Sequence, residues 1–159
     1  MKPLINIEDI IEFKDHDHGA FKAKYADVGG KIGATKLGYN ITIIPSGKKS
    51  YPFHNHHVSE EMFLILEGTG LLRFGDKKFP IKKNDIIACP TGDRSVAHQI
   101  INDSKTDLRY LALGTKTPYD ICEYPDSDKI LSRVTSEDDS NLWNMSKGNE
   151  SYDYFEGEE

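Results

Sequence analysis

The sequence predicts an all-β fold, either a β-sandwich or a β-barrel. Its 159 residues suit one domain. Between residues 38 and 113, short apolar or alternating runs are separated by turns rich in glycine, proline, asparagine and aspartate, and no stretch of ten or more residues has a clear helical period. The predicted strands are 39–44, 51–57, 61–66, 70–74, 77–81, 86–88, 95–102 and 108–113.

The segments on either side of this region are less regular. Residues 4–13 fit a short helix or a strand equally well. Residues 15–19, which include His16 and His18, are predicted to form a polar, solvated loop that ends in glycine. Residues 121–134 leave room for one more strand. The predicted organisation is an N-terminal extension (1–37), a barrel (38–114), a barrel-closing segment (115–135) and an arm (136–159).

The charge is distributed unevenly along the chain. Residues 136–159 contain 8 of the 26 acidic residues and 1 of the 20 basic residues, so the arm is acidic and the remainder is nearly neutral. A neutral body without a basic stripe argues against nucleic-acid binding, which depends on neutralising phosphates. We expect the arm to be partly disordered, with Trp143 at least partly buried against the barrel or a partner chain.

Composition also predicts a soluble, cytoplasmic protein. Residues 1–11 carry Glu8 and Asp9 and lack the apolar stretch of a signal peptide. No run approaches the roughly 18 apolar residues of a membrane span. The two cysteines, Cys89 and Cys122, are too few for a disulfide framework. Cys89, at a strand end, is expected to be a buried and inert thiol.

The residues best suited to bind a metal or take part in catalysis lie at the end of the second predicted strand (51–57) and the start of the third (61–66). Because side chains alternate along a strand, His54 and His56 should point to one side and His57 to the other. A carboxylate at the start of the next strand can approach the same point across the hairpin. His98, on a later strand with apolar neighbours, is aimed at the core. Three imidazoles and one carboxylate suit a divalent first-row metal.

This stretch resembles the first conserved motif of the cupins, a superfamily of β-barrel proteins. In the motif a glycine precedes an HxH pair, which is followed by a glutamate and a second glycine. Here four residues separate the HxH pair from the glutamate, and six separate the glutamate from the second glycine. The matching residues are Gly47, His54, His56, Glu61 and Gly68.

Residues 84–102 resemble the second cupin motif. A Pro-x-Gly turn at 90–92 precedes His98, and Asn102 follows four positions after that histidine. The sequence departs from the motif in two places. Asn84 stands where glycine is usual, although asparagine also tolerates a positive φ angle. The loop between the turn and His98 is longer than usual, at five residues.

The resemblance implies a double-stranded β-helix, or jelly-roll barrel, that holds one divalent metal ion. The implied ligands are His54, His56, Glu61 and His98. Glu60 is the rival of Glu61, which is preferred because it keeps the spacing to Gly68 and shares a strand face with Phe63 and Ile65. Zinc is slightly favoured over manganese, iron, nickel and cobalt, all of which accept such ligands.

Parts of residues 88–127 also resemble a subgroup of small single-domain bacterial cupins, some of them labelled sugar-phosphate-isomerase-like. We expect a metal-dependent enzyme that acts on a small polar metabolite by isomerase or oxygenase chemistry, and no catalytic residue is identified. The alternative is a non-catalytic cupin that binds or senses a small ligand. Residues expected to contact the ligand are Glu60, Phe63 and Arg94. A homodimer that uses the N-terminal segment is expected.

Overall fold

The computed structural model describes residues 2–136, 141–148 and 151–158, and these residues confirm the all-β prediction. The strands are β1 (Lys14–His18), β2 (Phe21–Asp27), β3 (Leu37–Ile44), β4 (Asn55–His56), β5 (Glu61–Glu67), β6 (Thr69–Phe74), β7 (Lys77–Lys82), β8 (Ile86–Cys89), β9 (His98–Ile101), β10 (Leu108–Thr115), β11 (Tyr119–Tyr124), β12 (Lys129–Val134) and β13 (Leu142–Lys147). Short 3-10 turns occupy Ile7–Asp9, Gly30–Ile32 and Arg94–Val96.

The strands form three antiparallel sheets. A six-stranded sheet has the order β1-β2-β3-β10-β5-β8, a four-stranded sheet has the order β13-β12-β11-β4, and a three-stranded sheet has the order β7-β6-β9. A single antiparallel bridge between His54 and His98 joins the two smaller sheets. The metal-ligand candidates of the sequence therefore lie where the sheets meet.

The core lies inside the barrel and is built from alternating residues of its strands. On β5, Phe63 and Ile65 are buried while their neighbours are more exposed, so Glu61 lies on the inward face. Burying one such side chain stabilises the fold by about 1.5–3 kcal/mol. The core cluster comprises Ala23, Ile44, Phe63, Ile65, Leu72, Ile81, Ile87, Cys89, Ile100, Leu108 and Tyr110.

Two predicted strands are shorter than the sequence pattern indicated. The strand expected at 51–57 is reduced to the two residues of β4. The strand expected at 95–102 begins only at His98, because a 3-10 turn precedes it. The side chain of Asp93 accepts a hydrogen bond from the Ser95 amide and caps that turn. Asn84 does adopt a positive φ angle, of 73°.

The prediction of a solvated loop at 15–19 is wrong. These residues contribute β1, which forms a hairpin with β2 through Gly19 at a φ of 68°. Because β2 pairs in turn with β3, the hairpin extends the six-stranded sheet. His16 is half-buried, and its Nε2 lies 2.8 Å from the carbonyl oxygen of Ser50. Residues 4–13 contain a 3-10 turn and neither a longer helix nor a strand.

The C-terminal part of the chain contains more strands than expected. The region 121–134 holds most of β11 and the whole of β12, and β13 of the arm pairs with β12. The barrel does not bury Trp143, since this side chain is 69% exposed on the edge strand of its sheet; its burial against a partner chain stays a prediction. Residues 137–140, 149–150 and 159 of the predicted arm lie outside the described residues. In the described part of the chain, no helix has the length and apolar character needed to cross a membrane.

Candidate metal centre

Three histidines and one glutamate converge where the three sheets of the barrel meet. His54 immediately precedes β4, His56 ends it, and Glu61 and His98 begin β5 and β9. The Nε2 atoms of His98, His56 and His54 lie 3.1, 3.5 and 3.9 Å from the same carboxylate oxygen, Oε2 of Glu61. The structure thus brings together all four residues that the cupin resemblance implied as ligands.

Each of the three imidazole rings is oriented by a contact at its other nitrogen. Nδ1 of His54 lies 2.8 Å from the carbonyl oxygen of Pro52, and Nδ1 of His98 lies 3.4 Å from that of Val96. A carbonyl oxygen can only accept, so a hydrogen on Nδ1 of either ring would satisfy this contact and leave the Nε2 lone pair for a metal. Nδ1 of His56 is 2.6 Å from Oδ2 of Asp120. This donor set fits a divalent metal ion.

The electrostatics of the centre keep its carboxylate ionised. Burial raises the pKa of Glu61, but hydrogen bonds from His56 and His98 outweigh burial and hold that pKa well below its usual range. Burial and the nearby His98 lower the pKa of His54 to about 4. Burial also lowers the pKa of His56, but hydrogen bonds with Cys122 and Glu61 dominate and raise it to about 11. The metal-free centre therefore holds an anionic glutamate beside a cationic imidazole.

Two residues near the centre, Asp120 and Cys122 of β11, were not identified from the sequence. Cys122 pairs directly with His56 across the β4–β11 ladder, and its Sγ lies 3.1 Å from Nδ1 of that histidine. Asp120, two residues earlier, is almost fully buried. No sequence signal identified them, because β11 reaches β4 from more than 60 residues away along the chain.

Of the three residues expected to contact a ligand, only one lines the cavity beside the centre. Phe63 lies in the wall of the cavity beside the centre. Glu60 is exposed and is absent from the residues that line that cavity. Arg94 is also absent from the lining, since its guanidinium pairs with Glu123 and Asp128. The structure therefore does not place Glu60 or Arg94 where a ligand in this cavity would touch them.

The cavity beside the centre is small and carries little charge. Its volume is about 170 Å³. No lysine or arginine is among its described lining residues, and its polar groups are mainly hydroxyls, amides and the candidate ligands. The lining residues are Asn40, Ser50, Tyr51, Pro52, His54, Glu61, Phe63, His98, Gln99, Ile100, Tyr110 and Ala112.

Sequence comparison identifies related proteins over part of the chain. Residues 40–114 match the model of the Cupin domain family. An uncharacterized protein of Methanocaldococcus jannaschii is 36% identical over 83 residues, which cover 52% of this chain and 56% of that protein. Auxin-binding protein 1 of Arabidopsis thaliana is 33% identical over 131 residues, covering 76% of this chain and 64% of that protein. The chain thus spans less than two thirds of the length of either relative.

Two solved structures resemble almost the whole chain. A protein of Acidithiobacillus ferrooxidans, named as a candidate sugar phosphate isomerase, is 27% identical with a TM-score of 0.81, and the match covers 92% of each chain. A cupin-superfamily protein of Silicibacter pomeroyi, named a sugar phosphate isomerase, is 23% identical with a TM-score of 0.80 over 94% of this chain and 95% of its own; this match supports the fold alone. Residues 40–114 therefore form a cupin domain, which makes this a cupin-domain protein.

Proposed function

We propose that this protein binds one divalent first-row metal ion through His54, His56, Glu61 and His98, and that it uses the ion to act on a small polar metabolite. The observation that carries the proposal is the convergence of three Nε2 atoms within 4 Å of one oxygen of Glu61. Imidazole and carboxylate together suit zinc, manganese, iron, nickel and cobalt, and zinc remains slightly favoured.

A bound divalent ion would supply Lewis-acid polarisation of a carbonyl or hydroxyl oxygen, or redox chemistry if it is iron. The chain's own residues hold and orient the reacting partners. Glu61 offsets part of the ion's charge, and the rings of Phe63 and Tyr110, in T-shaped contact with centroids 5.5 Å apart, form part of the cavity wall. The small cavity admits a small ligand, which suits isomerase or oxygenase chemistry on a compact substrate.

Sugar phosphate isomerisation is supported by the name of the Acidithiobacillus ferrooxidans relative. The cavity constrains how such a substrate would bind. Phosphate groups are usually held by arginine, lysine or a helix N-terminus. The described lining provides no lysine or arginine, so a sugar phosphate would have to keep its phosphate outside this cavity.

The alternative function is non-catalytic binding or sensing of a small ligand. One observation favours it. The titratable residues that line the cavity are three candidate metal ligands and two tyrosines, Tyr51 and Tyr110, whose pKa values burial raises. The described lining therefore offers no base beyond the candidate ligands at neutral pH. The relative named Auxin-binding protein 1 also suggests ligand binding.

Metal analysis tests the first part of the proposal. Protein purified without a histidine tag should contain one equivalent of a divalent metal per chain. If the protein bound no metal even after reconstitution with zinc, manganese, iron, nickel or cobalt, the proposed site would be contradicted. Turnover of sugar phosphates, keto acids or phenols by the loaded protein distinguishes enzyme from binding module. A homodimer and a cytoplasmic location remain predictions, and light scattering tests the first of these.

A further inference from the structure

We propose that Asp120 is a positioning residue that orients His56 and fixes the hydrogen on its Nδ1, so that Nε2 is presented to the metal. The inference rests on the proposed metal site, and it adds a residue that neither of the two cupin motifs contains. It depends on three features: the burial of Asp120, the way its two carboxylate oxygens divide their contacts, and the contrast with the other two histidines.

The carboxylate of Asp120 is held rigidly by backbone amides. The residue is 2% exposed. Its Oδ1 accepts hydrogen bonds from the amides of Ile121, Val58 and Ser59, at 2.9, 3.1 and 3.4 Å. Rotating the carboxylate would break these bonds inside the protein, at a cost of roughly 1–3 kcal/mol for each amide left unpaired. Oδ2 is therefore fixed in place facing His56.

The second oxygen makes the short contact with the histidine. Oδ2 of Asp120 lies 2.6 Å from Nδ1 of His56. An ionised carboxylate can only accept, so Nδ1 donates and the opposite nitrogen, Nε2, points towards Glu61 at 3.5 Å. Metal-bound histidines commonly use a carboxylate in this way, which fixes ring orientation and makes the ligand a stronger donor.

His56 differs from the other two histidines in the kind of partner it has. His54 and His98 face backbone carbonyls at Nδ1, whereas His56 faces a buried side-chain carboxylate. The neighbouring thiol of Cys122 lies 3.1 Å from the same nitrogen. Since a thiol is a weak hydrogen-bonding group, Asp120 is the partner that determines which nitrogen of His56 carries the hydrogen.

The cluster of His56, Asp120 and Cys122 is better explained by this hydrogen bond than by a separate metal site. Two ligand atoms about 2.05 Å from a tetrahedral ion lie about 3.3 Å from each other. The 2.6 Å between Nδ1 and Oδ2 is shorter than that and typical of a charge-assisted hydrogen bond. Oδ1 is also already occupied by backbone amides.

The test compares zinc binding by the wild type, Asp120→Asn and a matched control, Glu123→Gln. Asparagine keeps the size of the side chain, but when its oxygen accepts from the backbone amides its NH₂ group faces Nδ1. That arrangement favours the wrong tautomer of His56. Zinc affinity should fall about 10- to 100-fold. Glu123 lies on the same strand and contacts His57, so Glu123→Gln should bind zinc as the wild type does.

Two further measurements distinguish positioning from a general structural role. In the zinc-loaded, ¹⁵N-histidine-labelled wild type, the Nδ1–H proton of His56 should resonate far downfield, and Asp120→Asn should lose that signal while His54 keeps its own. In a double-mutant cycle, Asp120→Asn should have no further effect on zinc affinity in a His56→Ala background. A full additional loss in that background would overturn the proposal.

Other outcomes are equally decisive. Wild-type zinc affinity and an unchanged His56 signal in Asp120→Asn would overturn the inference, whereas a wild-type protein that binds no metal would overturn the proposed function itself. Two zinc ions per wild-type chain, reduced to one in Asp120→Asn, would show a second metal site instead of positioning. If Asp120→Asn does not fold, Asp120→Glu replaces it in the test. The longer side chain displaces the accepting oxygen by one methylene, so zinc binding should weaken. Wild-type zinc affinity in Asp120→Glu would contradict the positioning role.

Discussion

Nε2 of His57 lies 2.7 Å from Oε1 of Glu123, on the side of the chain away from His54 and His56. This contact shows how the side chains alternate along residues 54–57: Nε2 of His54 and Nε2 of His56 face Glu61, whereas Nε2 of His57 faces Glu123. The three histidines of this stretch thus have two different orientations. Their different orientations can be tested by substituting them one at a time.

Replacing His56 with alanine should remove most of the metal. The variant loses one of three converging Nε2 atoms, and no side chain on the outward face can replace it without a shift of the strand register. The measurement is metal content after reconstitution and dialysis. His57→Ala is the matched control and should keep a full equivalent. The opposite pattern, with metal kept in His56→Ala and lost in His57→Ala, would show that the site uses the other face.

Glu61→Gln should weaken metal binding sharply, whereas Glu60→Gln should change it little. Glutamine keeps the shape of residue 61 but removes the negative charge that lies within 4 Å of all three Nε2 atoms. Glu60 is exposed and outside the cavity lining. Calorimetric zinc titrations of both variants at one pH provide the comparison. A large loss confined to Glu60→Gln would reverse the assignment.

Metal uptake at pH 8 should release a proton from His56. The pKa of this histidine is raised to about 11, so its ring is cationic in the metal-free protein and must lose one hydrogen before Nε2 can coordinate. Apparent affinity should therefore rise with pH, by about tenfold per unit for one released proton. Calorimetry in two buffers with different ionisation enthalpies measures the release. Binding heats that do not depend on the buffer would contradict it.

The ion pair between Glu123 and Arg94 should contribute stability that is lost in acid. A hydrogen bond from Arg94, and a weaker one from His57, hold the pKa of Glu123 below its usual range despite burial. Because the folded pKa is the lower one, the contribution is present above the unfolded pKa, near 4.3, and disappears as pH falls through the folded value.

The expected size of this effect is small. Arg94 is about half exposed, so solvent screening limits the pair to roughly 0.2–1 kcal/mol. The free energy of unfolding of metal-free protein is measured by thermal unfolding at pH 6 and pH 3. The difference between these two values should be smaller for Glu123→Gln than for the wild type. Asp103→Asn, at an exposed position, is the control and should leave that difference unchanged. If both variants reduced this pH-dependent difference in stability equally, the effect would not come from the ion pair between Glu123 and Arg94.

Fluorescence of the single tryptophan should report whether the arm is covered by a partner chain. Trp143 is exposed in the monomer, so its emission should be that of a solvated indole, and Trp143→Ala should change stability by less than about 0.5 kcal/mol. If a homodimer covers β13, the emission shifts to shorter wavelength as protein concentration rises. A blue-shifted emission that does not depend on concentration would contradict the exposed position.

The barrel and the four converging residues could be predicted because their signals are local. Alternation on β5 determines which of its side chains face inward, and the HxH spacing places two imidazoles on one face. The choice of Glu61 over Glu60 needed the family motif, since both faces of that strand are apolar in sequence. In the structure Glu61 lies on the same face of β5 as the buried Phe63 and Ile65, and its role as a ligand stays a prediction.

The features that were missed depend on pairings between distant parts of the chain. The polar stretch at β1 becomes a strand only because β2 offers it an edge, and β2 is itself anchored on β3. Asp120 could not be identified because its partner His56 is 64 residues away. Arg94 is expected from the sequence to contact the ligand, but two acidic side chains distant in sequence, Glu123 and Asp128, bind its guanidinium. Trp143 lies on an edge strand that the barrel does not cover.

The four candidate ligands belong to different sheets: Glu61 to the six-stranded sheet, His56 to the four-stranded one and His98 to the three-stranded one, with His54 at the bridge between the last two. An ion bound by all four residues would link the three sheets, which are otherwise joined by few backbone hydrogen bonds. Folding and metal supply would then be thermodynamically linked. At a free metal concentration one hundred times the dissociation constant, the folded state would gain about 2.7 kcal/mol, and each further tenfold rise would add about 1.4 kcal/mol. The lifetime of this protein in a cell would accordingly depend on how much metal the cell makes available.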